Sequence, residues 1–430
     1  MLANADGTEQ RYLIWTYLSP ISGLAWSPDG QTIAWSTGYD GKIVTVSLAS
    51  VLGTQLKVDV SGRSQQRTLS RRHWFGLEGV SWLSDGNALI VNSSDQNADD
   101  PSQLWMVTYP QGEVERITND LNDYHGVSIT SDSTTLVTEQ RQSLYSTWVV
   151  PQHDVSRAHQ ISVAAGSVGA LKDISWTPDG KLLYASRTGT QMNIGIMDAE
   201  GKNRRQLTVD NGNNWMPSAS PDGGTIAFVS DRTGHPCVWK MAMDGSNPVQ
   251  MTHGDHDWLP SISPDGKWIV YVGTVSGRDG IWKVPIEEGP AIYLSDSGLG
   301  LRGQLTSTAV SPDARMFTSI DMERKRKEDY ENYFLNTKVF AFEGKKLIKV
   351  FAGALEKVAW SPDSRSLTYV DTRNGVSNIW SRPLVGDLPE QLTHFTSDRI
   401  FSYAWSRDGK QLAVARGTET SDIVLITNFH

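Results

Sequence analysis

Cysteine is almost missing from this chain: its 430 residues hold one, Cys237. A single thiol excludes an internal disulfide framework and a cysteine metal cluster, and leaves the redox compartment open. Long apolar runs are lacking too. No stretch approaches the roughly 18 apolar residues of a membrane span, and the opening MLANADGTEQ has no apolar signal core, so a soluble chain without a membrane span is expected. Positive charge is in deficit, 39 Lys and Arg against 48 Asp and Glu. Phosphate binding needs clustered cations, so no nucleic-acid partner is expected. Catalytic signatures are absent as well: there is no GxSxG elbow, no HRD and DFG pair, and no helix-turn-helix pattern. Asp95, Asn97 and Asp99 imitate the start of a calcium loop, but Asp100 stands where Gly belongs and Val107 near the place of the distal Glu. No metal, cofactor or catalytic residue is assigned.

What the chain has in abundance is repetition. A turn of the form Ser/Thr-Pro-Asp-Gly recurs nine times, with its Asp at 29, 85, 132, 179, 222, 265, 313, 363 and 408, so the spacing runs from 43 to 56 residues. Asp holds in all nine copies, Pro and Gly in six each. Pro presets the backbone, Asp bonds local amides and Gly relaxes the exit, so the motif reads as a tight turn. Alternating apolar runs flank each turn, as in QTIAWST (31–37), CVWKMAM (237–243) and PVQMT (248–252), and they give four short strands per repeat. Four strands every 40 to 50 residues describe a propeller blade. The fold expected is therefore all-β, a single closed β-propeller over 1–430 with nine blades, or eight with one irregular unit. Only two strands fit after Asp408, Gln411–Arg416 and Asp422–Thr427, and Asp6–Leu13 matches the fourth-strand segment Asp244–Met251. An N-terminal strand joining the last blade is expected to seal the ring and remove exposed edges.

The patterns W-S-P-D-G-x-x-I-A-W and S-D-R-x-G-x-x-x-x-W-x-M, clearest at Ser220–Met243 and Ser263–Val284, resemble the TolB-type, WD40-like propeller repeats. The resemblance covers nearly the whole chain and implies the fold more specifically than the function. Long arrays of this type are also similar to extracytoplasmic sensor regions of bacterial membrane proteins, such as receptor-like serine/threonine kinases. That likeness implies a periplasmic or extracellular location, with the cytoplasm left open.

In a propeller the connections leading into each innermost strand gather on one face, opposite the turns, and scaffolded loops are where recognition concentrates. Here those connections are rich in aromatics and histidine: RRHWFG (71–76), NDYHG (122–126), NGNNWMP (211–217), HGDHDWLP (253–260) and SDRIFSY (397–403). The candidate contact residues are Trp74, Tyr124, His125, Trp215, His256, Asp257, Trp258, Arg302 and Phe401. Trp215 and Trp258 occupy equivalent places and are open to two readings, filler between blades or contact surface. The segment Met322–Asn336 of the seventh repeat, MERKRKEDYENYFLN, is either a solvated loop or a docking element using Tyr330 and Tyr333. The function expected is non-enzymatic recognition of a protein, peptide or envelope ligand across this face. A lyase or hydrolase with a site at the channel mouth is the alternative.

Overall fold

A computed structural model describes residues 21–37, 42–47, 67–70, 72, 74–94, 101–120, 122–152, 154–163, 172–188, 191–209, 212–254, 257–295, 310–324, 333–343, 346–386 and 388–429. Among them the chain is all β apart from one short 3-10 turn, Val155–Arg157. No helix is long and apolar enough to cross a membrane.

Seven of the eight sheets follow one repeat each and are built from strands that are neighbours in sequence, and the eighth combines strands of the third and ninth repeats. In the fifth repeat Asn214–Ala219, Thr225–Ser230, Cys237–Ala242 and Val249–Gln250 pair in that order, and the first, second, fourth, sixth and eighth repeats do the same. The seventh shows three strands, Met316–Arg324, Tyr333–Ala341 and Leu347–Ala352, with a bridge from Val310 to Phe317 standing for the innermost one.

The recurring turn works as its composition implies. In eight of nine copies the Ser or Thr two residues before the Asp donates its hydroxyl to the carboxylate, as Ser27 does to Asp29 at 2.6 Å. Asp85 is the exception because Leu83 holds that place. The hydroxyl and the Gln31 amide hold Asp29 below the usual carboxylate range. The residue after the Asp is always left-handed, and where Gly is replaced, Ser133, Ala314 and Ser364 adopt φ of 58°, 60° and 62°.

The third and ninth repeats depart from the pattern. Their second and third strands were expected as hairpins, yet Thr135–Pro151 and Gln411–Thr427 are each one continuous strand of 17 residues. The reason is local. The fifth, sixth and eighth repeats reverse through left-handed residues, Gly234, Ser276 with Gly277, and Asn374 with Gly375. Segments 140–143 (QRQS) and 417–421 (GTETS) hold no residue at positive φ, so the strands run on. The two long strands lie side by side, with Arg399–Trp405 beyond Gln411–Thr427, His159–Val163 beyond Thr135–Pro151, and Asp123–Ile129 paired to residues 136–141. The strand expected to seal the last blade, Asp6–Leu13, lies outside the described residues.

The chain divides into two compact units, 1–142 with 419–430, and 143–418. The smaller holds the first three repeats. Its sheets share two buried clusters, one joining the first repeat to the second around Trp74, Leu77 and Trp105, the other joining the second to the third around Ile90, Leu104 and Leu136. The larger holds the other six repeats, the ninth through its part of the sheet it shares with the third, and every neighbouring pair shares a buried cluster: fourth with fifth, fifth with sixth, sixth with seventh, seventh with eighth, and eighth with ninth. A further cluster around Trp176, Tyr184 and Ala413 joins the ninth back to the fourth.

Candidate functional site

The innermost strands carry the site. Each loses register with its neighbour near its start, between Lys172 and Ser175, Trp215 and Ser218, Trp258 and Ser261, and Glu356 and Ala359 in the larger unit. At each of these bulges the residue six before the turn Asp is left-handed: Asp173 (φ 50°), Met216 (52°), Leu259 (58°) and Lys357 (50°). A bulge re-aims the side chain, and a side chain held at such φ costs about 1–3 kcal/mol, a strain that collects at functional sites. Gly would relieve it. In the smaller unit the same position is Gly23, Gly79 and Gly126, of which only Gly126 is left-handed (φ 66°), while a Cβ at Gly23 or Gly79 would crowd Val80 or Asn92.

Chemically the bulges of the larger unit are mixed. Met216 and Leu259 supply apolar surface beside the half-buried Trp258, while Asp173 accepts the Met216 amide at 3.2 Å and so ties the fourth sheet to the fifth. Burial holds Lys357 below the usual lysine range; Glu356 opposes that shift, Arg399 adds to it and Asp173 opposes it. Four charged groups from the fourth, eighth and ninth sheets therefore act on one another there.

The smaller unit has an ionic counterpart. His125 Nδ1 donates to Glu78 Oε2 at 2.7 Å, and its Nε2 stands 3.0 Å from Asp123 Oδ2. Asp123 and Glu78 outweigh the desolvation of the ring and raise its pKa to about 9, so the imidazolium persists at neutral pH. Across the strand pair from His125 lies Glu139, which accepts two bonds from Arg141 at 2.7 and 3.1 Å and one from the Ser421 hydroxyl at 2.6 Å.

The structure sorts the residues named from sequence by burial. Trp215 is fully buried in a cluster with Ala185, Met192 and Val229, its ring 5.6 Å from that of Trp258, so it supports the face from beneath and Trp258 reaches the surface. Trp74 is buried against Trp105, with the Arg72 guanidinium 4.2 Å over the Trp105 ring. Tyr124 is buried, and desolvation with the Asp120 carboxylate, 2.7 Å from its hydroxyl, raises its pKa to about 12. Asp257 is buried as well. It accepts the Gly254 amide at 3.1 Å, and a Cβ at Gly273 would collide with its carboxylate, so that glycine is a requirement of close approach. Phe401 stacks on Tyr145 at 4.8 Å. Arg302, His256 and Tyr330 lie outside the described residues, as do the side chain of Tyr333 and the calcium-like segment 95–100. The residues brought together are thus Trp258 with Trp215, and His125 with Glu78 and Asp123. Sequence reading missed Asp173, Met216, Leu259, Lys357 and Glu78, although counting six back from each turn Asp would have aligned the first four. The S-D-R motif proves to be scaffold: Asp231 accepts the amide and side chain of Asn213 at 2.7 and 3.0 Å, and Arg232 lies 4.6 Å over Trp239.

Residues 146–328 match the family described as TolB beta propeller domain, and residues 12–44 the one described as WD domain, G-beta repeat. The Tol-Pal system protein TolB of Francisella tularensis subsp. tularensis is 31% identical over 259 residues, 60% of this chain and 56% of that protein. An uncharacterized protein of Agrobacterium fabrum is 37% identical over 188 residues, 41% of this chain and 58% of that protein. The chain thus spans little more than half the length of these curated relatives. The crystal structure of TolB from Acinetobacter baumannii superposes with a TM-score of 0.44 at 13% identity, covering 80% of each chain. The repeats within 146–328 are similar to TolB-type propeller repeats and those within 12–44 to WD40 repeats.

Proposed function

We propose that this chain is a non-enzymatic recognition module that binds a protein or peptide ligand at the starts of its innermost strands. A bacterial envelope setting, periplasmic or extracellular, and the role of sensor region in a membrane receptor complete the proposal. The observation that carries it is the set of four left-handed bulges in the larger unit, which hold Asp173, Met216, Leu259 and Lys357 at one level of the fourth, fifth, sixth and eighth sheets against a conformational cost. Strain kept in four places with four different side chains fits a surface selected for contact. Likeness to a Tol-Pal system protein supports a protein partner. In this reading Trp258, His125 and Phe401 contribute surface and Trp215, Trp74, Tyr124 and Asp257 support it.

The test uses Met216→Gly and Lys357→Gly, which keep the backbone conformation and remove the side chain. Thermal stability should hold or rise in both, because Gly is at ease at positive φ. Affinity capture from envelope extract should lose a partner that the wild type retains. Equal capture by both variants would refute the reading. One observation favours a second reading, a lyase or hydrolase: Lys357, held by burial below the usual lysine range, lies among Glu356, Arg399 and Asp173. Turnover lost in Lys357→Gly would select that alternative.

A further inference from the structure

Every sheet but one in the described repeats shares an apolar cluster with a preceding sheet, and three of them do so through the same two residues. The residues five and three before the turn Asp point backwards and are buried by the sheet before: Val80 and Trp82 on the first repeat, Ile174 and Trp176 on the ninth, Val358 and Trp360 on the seventh. The tryptophans are 7%, 8% and 6% exposed. Two of them also donate the indole N–H to the carbonyl four before the preceding turn Asp, Trp82 to Ala25 at 3.2 Å and Trp176 to Ala404 at 3.0 Å. The first repeat holds the same residues at the same places, Leu24 and Trp26. They are 62% and 47% exposed.

The other end of the smaller unit is open in the complementary sense. The third strand of each sheet normally buries an apolar residue against the sheet that follows, as Leu104, Ile194, Val238, Ile281, Val339 and Ile379 do, all at 0% or 1% exposure. In the third repeat that place belongs to residues 422–427 of the strand Gln411–Thr427. Val424 and Ile426 pack back toward the second sheet, and Ile423 and Leu425 face the other way, 72% and 68% exposed. The place that Ala25 and Ala404 hold in their sheets, four before the turn Asp, belongs here to the exposed Ser128.

We infer that a second copy of this chain covers both ends, the Leu24 and Trp26 face of one copy packing on the Ile423 and Leu425 face of the other, and the reverse. The two surfaces differ, so the contact is heterologous and must close by rotation to stop at a finite size. Three sheets from each copy make six, the number that the same repeats need to return on themselves in the larger unit. The larger unit has no comparable opening among its described residues, since each of its sheets shares a buried cluster on both sides.

Sedimentation of the full chain over a concentration series, with a cysteine cross-linking assay, tests this. A dimer of twice 47.5 kDa is expected. Trp26→Glu and Leu425→Glu, each at an exposed site that leaves the monomer folded, should raise its dissociation constant by about 30-fold or more, as for a hot-spot residue. Leu24→Cys with Ile423→Cys in one chain should cross-link between copies on oxidation, and neither single variant should. A wild type that stays monomeric throughout overturns the inference. So does a dimer insensitive to both Glu variants, or one in which a single cysteine variant cross-links to itself.

Discussion

The smaller and the larger unit are made from one repeat and answer its demands differently. Six before the turn Asp the smaller unit has Gly23, Gly79 and Gly126, and the larger has Asp173, Met216, Leu259 and Lys357 at positive φ. The smaller unit keeps its inner face unstrained and ionic, with His125 between Glu78 and Asp123. The larger holds side chains where glycine would sit better and has every sheet covered on both sides. Packing on both sides of its sheets offsets local strain in the larger unit.

The sharpest way to break this comparison uses one residue type at one repeat position. Trp176→Ala should destabilise the larger unit by about 3–5 kcal/mol, because it removes a buried indole that donates to Ala404. Trp26→Ala, read by denaturant unfolding at concentrations that keep single copies, should cost less than about 0.5 kcal/mol. Equal losses would mean that the first sheet is already covered within one chain.

A smaller effect separates the inner faces by pH. His125 is raised from 6.5 to about 9, so its charged form favours the folded state: the stabilisation is full below about 6.5 and fades as pH climbs through about 9. Glu78 is half exposed, and solvent screening limits the effect to about 1 kcal/mol. Unfolding of the smaller unit followed from pH 6 to about 10 should show this slope, and His125→Gln should flatten it. A slope unchanged in the variant would assign it elsewhere.

The smallest contrast lies in the turns. Ala314 makes no side-chain hydrogen bond at its φ of 60°, so Ala314→Gly should stabilise the larger unit by about 1 kcal/mol. Ser133 sits at 58° but accepts the Ser84 amide at 2.6 Å, so Ser133→Gly should gain little or lose. Thermal melts of the two variants give the comparison directly.

Much of the architecture could be read in advance. The nine Asp turns, the four-strand repeat and the β class are local properties: Asp bonds its own amides, Pro and Gly set φ, and period-two apolar runs make strands whatever surrounds them. Of the two continuous strands only the first was legible in this way, since QRQS lacks the glycine found at Gly234 and Gly375, whereas GTETS contains Gly417, which does not adopt positive φ and serves close approach to Leu144 instead. The candidate site was less so. Trp74, Tyr124 and Trp215 have the residue types of a contact face, but indole and phenol rings fill cores equally well, and only the neighbouring sheets reveal which they do.

The chain's own chemistry determined the repeat, its turns and the apolar pattern of each sheet, because those interactions close within a few residues. Which sheet covers which was decided only in three dimensions. Leu24 and Val80 are the same kind of residue at the same place in the repeat, and one is exposed while the other is buried because a sheet stands before the second repeat and none of the described sheets stands before the first. Met216 and Leu259 likewise carry no mark of left-handed backbone in their side chains. The bulge that holds them there is set by pairing between strands and packing between sheets, and neither is a property of a residue alone.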